Sequence, residues 1–314
     1  MKYAKTAILI SLCLIRWSDA QTIYDSFQWA EVGNANNAAD STGYGAVSYV
    51  YKISKYETTI SQYNTFLNTV GKNDANSLYQ PDMGTDNVYK GILRSGASGT
   101  YSYSVSPGSG NKPISWVNWF DAARFCNWLH NGASSTSSTE TGAYTLNGAI
   151  SGVFSKNTGA KFWIPSENEW YKAAYYDPTK NGSGGYWSYP TKTDFINTNM
   201  ANYNEAHPAD ANGNRLTDVG YYNFSSYYGA YDMGGNVYEW NDSIDGSNRG
   251  VRGGSWAYPN AELTLSKESR NPQVPTGNGW LIGIRVATAV PEPSALSLLA
   301  VGLGGLAILR RRRS

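Results

Sequence analysis

The sequence predicts a loop-rich, irregular α+β domain with few regular elements. Its 314 residues include 33 Gly, 25 Tyr and 11 Trp, and only 16% of them are charged. This composition is typical of a globular chain whose core is packed with large aromatic rings, and it excludes mostly disordered chains and long coiled coils. Three helix patterns and one alternating strand pattern supply the regular elements.

A strand and a helix come first. Residues 47–53 place Val, Tyr, Tyr and Ile at alternating positions, which is the two-residue period of a half-buried strand. Thr59 is the expected N-cap of the following helix, and Gln62 is its capping-box partner. Apolar residues then recur on one face over residues 60–70, and Gly71 ends the helix.

Two further helices follow a low-charge segment. Residues 72–112 predict a loop with short strands. Asn118 is the expected cap of the second helix, with Asp121 in the first turn, where the helix dipole favours a carboxylate. Ser166 and Glu169 form the capping box of the third helix.

The N-terminus carries an export signal. Residues 1–5 are basic, residues 6–15 are apolar, and residues 18–20 offer the small side chains that a signal peptidase requires. We therefore expect a signal peptide over residues 1–20, with cleavage before Gln21. A short buried helix is the alternative interpretation.

The C-terminus carries a second signal. Pro291-Glu292-Pro293 precedes an apolar run over residues 295–309 and four arginines, which should stay cytoplasmic. Residues 290–314 resemble the PEP-CTERM sorting signal of exopolysaccharide-producing Gram-negative bacteria. The resemblance implies an exosortase-type sorting protease as a partner, transient anchoring of a short transmembrane helix in the inner membrane, and release to the cell surface or extracellular matrix. A plain membrane anchor is the alternative.

Charge and cysteine content narrow the function. The two end segments take seven of the 25 basic residues but two of the 24 acidic ones, so the mature domain is acidic and we expect no nucleic-acid partner. Two His and two Cys cannot build a zinc-finger array. Cys13 leaves with the signal peptide. Cys126 lies on the face of the second helix that we expect to pack against the core. We expect a buried hydrophobe there rather than a nucleophile.

Glycine-rich aromatic motifs follow the third helix in a fixed order. They are Asp232-Met233-Gly234-Gly235-Asn236-Val237-Tyr238-Glu239-Trp240, then Arg252-Gly253-Gly254-Ser255-Trp256, then Gly283-Ile284-Arg285-Val286. With Glu57-Thr58-Thr59 and the second and third helices, this order resembles the formylglycine-generating enzyme, or sulfatase-modifying factor, family over about residues 44–287. The resemblance implies an irregular α+β fold related to C-type lectins, in a domain over residues 21–289.

The active site of that family is altered. The family's enzymes convert a sulfatase cysteine to formylglycine with two cysteines that hold Cu(I), and the matching positions here are Tyr258 and Leu263. A phenol and an alkyl group cannot replace thiolates as Cu(I) ligands, so we expect no copper and no catalytic residue. Arg252, Ser255, Tyr258 and Arg285 are the motif residues that the resemblance assigns to the groove.

The resemblance also implies calcium. The family's second calcium loop and part of its first match residues that present carboxylate, amide or backbone oxygens. These are Asp232, Gly235, Val237 and Glu239 for the second site, and Asn202 and Tyr203 for the first. The alternative is that Asp232 and Glu239 only brace the glycine turn.

Three classes of function follow. The first is a non-catalytic extracellular binding or matrix module whose partner is an extracellular polysaccharide or a surface protein. The second is an oxidase or other enzyme with an altered active site, and the third is a purely structural surface protein. The tyrosine pairs at residues 221–222 and 227–228 are candidates for stacking on sugar rings.

Overall fold

The computed structural model describes residues 19–211, 213–257, 262–277 and 279–290. The predicted signal peptide and sorting signal therefore lie almost wholly outside the described residues. Within these ranges, no helix combines the length and the apolar character needed to span a bilayer.

The helices are short, and three of them begin at capping boxes. Both capping boxes predicted from the sequence are confirmed, and Asp121 completes a third with Asn118. The helices are α1 Asp19–Ser26, α2 Ile60–Val70, α3 Asp82–Thr85, α4 Trp119–His130, α5 Glu167–Tyr175 and α6 Glu262–Leu265, with a 3-10 turn at Lys180–Gly182.

The strands form two four-stranded sheets and two hairpin pairs. They are β1 Trp29–Val32, β2 Tyr51–Ser54, β3 Ile92–Ser95, β4 Ser102–Val105, β5 Phe162–Trp163, β6 Tyr176–Asp177, β7 Gly185–Tyr186, β8 Tyr238–Asp245, β9 Asn248–Arg252, β10 Asn271–Gln273, β11 Ile282–Gly283 and β12 Ala287–Ala289. The first sheet has the order β1-β2-β12-β5, and the second has the order β10-β9-β8-β11. Strands β3 and β4 pair with each other, as do β6 and β7.

The last strands join the two sheets. β11 runs parallel to β8, with Ile282 opposite Tyr238. β12 lies antiparallel between β2 and β5, with Ala287 opposite both Ile53 and Trp163. The chain therefore passes from one sheet to the other between residues 283 and 287, and this crossing carries Arg285 into the interior.

The predicted first strand is shorter than its sequence pattern. β2 begins at Tyr51, so the prediction is wrong for the four residues from 47 onward. The carbonyl of Val47 instead accepts a hydrogen bond from the Asn36 amide at 2.9 Å, and the Tyr49 hydroxyl donates to Glu169 at 2.7 Å. Contacts with the N-terminal loop and with α5 replace the sheet pairing that alternation alone predicts.

Aromatic rings join α2 to α4 in the core. The ring of Phe125 lies edge-on to that of Phe66, with their centroids 5.3 Å apart, and it also contacts Tyr63 and Trp128. Such pairs contribute about 0.5–1.5 kcal/mol each beyond the area that they bury. The aromatic core expected from the composition is thus confirmed.

Candidate functional site

The free thiol of the described residues, Cys126, lies inside the core. Cys126 is buried in α4, and burial followed by the charge of Asp242 raises its pKa well above the usual value. Since thiolates rather than thiols are nucleophiles and metal ligands, this cysteine is unsuited to both roles. The expectation of a buried hydrophobe is confirmed.

Arg252 is an internal anchor at the end of β9. Its buried guanidinium forms an ion pair with Glu167 of α5, and it donates to the carbonyls of Lys267 at 3.2 Å and Ser269 at 2.5 Å. It also lies over the Tyr171 ring, 4.9 Å from the centroid. The motif arginine therefore connects β9, α5 and the 267–269 turn.

The loop after Arg252 is packed against α6. Gly254 has φ +70°, and a Cβ there would lie 2.5 Å from Cδ1 of Leu265. Ser255 is fully buried, and its hydroxyl has no hydrogen-bond partner among the described residues. Tyr258 lies outside the described residues, and Leu263 falls within α6.

Arg285 and Glu239 form a buried ion pair between the two sheets. The Arg285 Nε lies 3.1 and 2.9 Å from the two carboxylate oxygens, and Nη2 donates to Oε1 at 2.7 Å. Trp170 donates to Oε2 at 2.6 Å, and the guanidinium also donates to the carbonyls of Ser54 and Tyr231 at 2.8 Å each. Burial lowers the pKa of Arg285, but the Glu239 carboxylate together with the charges of Glu57 and Asp232 outweighs it and leaves the pKa above its usual value.

Glu57 adds a second buried carboxyl group that the sequence argument did not single out. It accepts hydrogen bonds from Asn236 Nδ2 at 3.1 Å and from the Val237 amide at 3.4 Å. Burial, and then the charges of Asp232 and Glu239, raise its pKa well above the usual value. The position of Glu57 in the Glu-Thr-Thr motif was the available signal, but its partners are about 180 residues away along the chain.

Asp232 is the third acid of this cluster. Its Oδ2 accepts from the Gly220 amide at 2.5 Å. Burial raises its pKa to about 6, although the Gly220 hydrogen bond and Arg285 act in the opposite direction. Glu239 alone contacts the guanidinium directly, whereas Glu57 and Asp232 interact with Arg285 through their charges. Burial raises the pKa of both of these acids, which makes each easier to protonate than a free carboxyl group.

Of the motif residues assigned to the groove, the structure describes Arg252, Ser255 and Arg285. All three are buried. The two arginines are held by carboxylates and carbonyls, and the loop packing covers the serine. Their assignment to a groove stays a prediction. Their hydrogen bonds and packing support the fold.

The glycine turn of the expected calcium loop packs directly on Asn202. Gly235 has φ +86°, and a Cβ there would lie 2.4 Å from the Asn202 carbonyl oxygen. That oxygen accepts from the Asn236 amide at 2.8 Å, and Asn202 Nδ2 donates to Asn236 Oδ1 at 3.1 Å. The structure therefore brings residues of the two expected calcium sites together.

The contacts of Glu239 and Asn202 indicate how well their oxygen atoms could coordinate a cation. Around Glu239 the fit is poor, because Arg285 and Trp170 already fill its carboxylate. Oδ1 of Asn202 is buried without a hydrogen-bond partner among the described residues, and such an acceptor suits a cation. No group of three or more acidic, His or Cys side chains in the described ranges is placed to hold a metal. Calcium binding stays a prediction.

The tyrosine pairs lie in the long segment between β7 and β8. Tyr221 is 62% exposed, Tyr227 is 40% exposed, and Tyr222 and Tyr228 are half-buried. Each pair is packed edge to face, with centroids 5.1 and 5.2 Å apart. The segment thus presents aromatic surface to solvent.

The fold and the buried motif residues define an irregular α+β domain of the C-type-lectin-like class. The chain matches the sulfatase-modifying factor enzyme 1-like domain over residues 31–290, and it belongs to that family. Among solved structures it is similar to Treponema denticola variable protein 1, with 22% identity, a TM-score of 0.53, and coverage of 84% of this chain and 95% of the other. It is also similar to PvdO from Pseudomonas aeruginosa, with 18% identity, a TM-score of 0.46, and coverage of 84% and 92%. No relative was found among curated proteins.

The C-terminal signal is confirmed as well. Residues 289–313 match the PEP-CTERM protein-sorting motif. This motif indicates export through the sorting system, and it implies recognition by exosortase-type sorting machinery.

Proposed function

We propose that the mature protein is a non-catalytic binding or matrix module of the cell surface or extracellular matrix. One observation carries the proposal: the family's two cysteine positions are Tyr258 and Leu263, while the remaining thiol, Cys126, is buried in α4. A Cu(I) site built on two thiolates has no ligands in such a chain. The buried ion pairs of Arg252 and Arg285 support a structural role for these motif charges.

The partner class is an extracellular polysaccharide or a surface protein. The sorting motif directs the domain outward, and the exposed tyrosines of the 221–228 segment offer aromatic surface for contact. Tyrosine combines a large apolar face with a hydroxyl group, which suits it to partners that are partly polar.

The first test measures the family's chemistry directly. Cu(I)-loaded protein and oxygen are incubated with a peptide carrying the sulfatase Cys-x-Pro-x-Arg motif, and mass spectrometry follows aldehyde formation. We expect no aldehyde. Turnover that disappears in Tyr258→Phe would overturn the proposal and indicate a phenol-based enzyme.

A second test measures binding. The exported protein is mixed with the insoluble extracellular polymer and the surface proteins of its host, and the bound fraction is determined. We expect retention on at least one of them. A protein that stays in solution with both fractions would contradict a binding role.

A further inference from the structure

Two loops of the 187–237 segment meet in a surface cleft outside the family motifs. The cleft has a volume of about 480 Å³, within the range of small-molecule sites. Its lining comes from two stretches of the same long segment, within residues 198–208 and residues 221–223. The polar and aromatic ones are Thr198, Asn199, His207, Tyr221, Tyr222 and Asn223.

The most exposed ring of the cleft, that of Tyr221, packs against two other rings. The Tyr221 ring stands nearly perpendicular to that of His207, with centroids 5.2 Å apart at 85°, and to that of Tyr222 at 5.1 Å and 75°. The Tyr221 amide donates to the Asp218 carbonyl at 3.1 Å, which fixes the backbone. Contacts of this kind restrict the side-chain rotamers of Tyr221, so a ligand that covers the ring has less conformational entropy to overcome.

The other side chains supply hydrogen-bonding groups. Asn199 and Asn223 are exposed amides, and Thr198 adds a hydroxyl. Nδ1 of His207 is buried and has no hydrogen-bond partner among the described residues. Amides offer donors and acceptors together, so they match groups that can do both, as hydroxyls do.

The charge of the lining narrows the ligand class. The described residues that line the cleft include no Asp, Glu, Lys or Arg. A phosphate or sulfate group would find no Lys or Arg there, and a metal or an amine would find no carboxylate. A ligand with one apolar face and many hydroxyls fits both the ring and the amides.

We infer that this cleft binds a neutral sugar unit of an extracellular polysaccharide. The Tyr221 ring lies against the apolar face of the sugar, and the Asn199 and Asn223 amides bind its hydroxyls. The inference rests on the proposed function and deepens it, since it assigns the binding role to one place and to one ligand class. It requires no metal.

The test uses the exported protein on an array of neutral and acidic oligosaccharides, with short peptides as a further arm. We expect binding of neutral oligosaccharides and, in Tyr221→Ala, affinity weakened by about tenfold or more, as for an aromatic anchor. Asn223→Ala should also weaken the affinity for neutral oligosaccharides. Phe195→Ala is the matched control, because Phe195 is 66% exposed and lies outside the cleft, so its affinity should not change.

The outcomes separate the site from the function. If neutral oligosaccharides bind the wild type and Tyr221→Ala equally, the assignment of the binding site to this cleft is wrong, while the proposed binding role stands. Binding restricted to acidic sugars or to peptides would overturn the ligand class. Aldehyde formation in the peptide assay would overturn the proposed function itself. Thermal unfolding of each variant checks its fold, and Asn223→Ala decides the case if Tyr221→Ala does not fold.

Discussion

Arg285 contacts both carboxylate oxygens of Glu239 in the interior, at the point where the chain crosses from one sheet to the other. The pair joins β8 to the segment between β11 and β12. Both side chains are buried, so each depends on the other for its charge balance.

Breaking this pair should destabilise the domain strongly. Glu239→Gln leaves the buried guanidinium without its counter-charge, and we expect a loss of about 3–5 kcal/mol in the free energy of unfolding. Urea unfolding measures it. Asp245→Ala is the control, since it removes the half-exposed Arg270–Asp245 pair, and it should cost less than about 1 kcal/mol. Similar losses in the two variants would contradict the structural role of the pair.

Calcium dependence has a separate test. A cation that binds only the native state raises the melting temperature, so EDTA should lower it relative to millimolar Ca²⁺ if the sequence-based prediction holds. Glu239→Gln should reduce that difference if Glu239 is a ligand, and should leave it unchanged if the ion pair alone occupies the carboxylate. Identical melting of the wild type in EDTA and Ca²⁺ would end the calcium hypothesis.

Stability should fall as the pH rises from about 4 to 8. Burial raises the pKa of Asp121 to about 8, and the acid is therefore protonated in the native state over a range where the unfolded chain has already lost the proton. A raised carboxyl pKa adds stability below the unfolded value and loses it as the pH climbs through the folded one. Asp121→Asn should flatten this slope in urea unfolding at several pH values, whereas the exposed Asp82→Asn should not. An unchanged slope in Asp121→Asn would refute the assignment.

The glycine turn tolerates no side chain. In Gly235→Ala the new Cβ would meet the Asn202 carbonyl oxygen at 2.4 Å, in addition to the strain of φ +86°. Strain alone costs about 1–3 kcal/mol, so we expect a loss above that of a purely strained site. Gly148→Ala is the matched control, with φ +82° and no atom within 4 Å of the added Cβ. Equal losses would show that the Asn202 contact relaxes easily.

Cleavage by the sorting protease should give the mature protein a defined C-terminus. In a host with the protease, the mature protein should end near residue 290, because the motif at residues 289–313 is the part recognised. Intact-mass analysis of native material measures this. Recovery of Arg313 in that material would show an uncleaved anchor.

Local signals predicted the elements, and long-range partners decided the site. The Thr59 and Ser166 caps act within three residues, so the sequence alone located α2 and α5. Glu57 and Asn236 are 179 positions apart, and no periodicity links them. The motifs indicated that Arg285 matters, but its burial against Glu239 depends on how the two sheets pack, which local patterns do not contain.

The place of β12 at the end of the domain leaves a short connection to the C-terminal apolar run. β12 ends at Ala289, and five residues separate it from the apolar run that begins at residue 295. Fully extended, such a tether reaches about 20 Å. If the run enters the bilayer as the sequence predicts, the sheet that contains β12 lies close to the lipid surface until cleavage. The sorting protease must then cut in a narrow gap, beside a strand already paired on both edges.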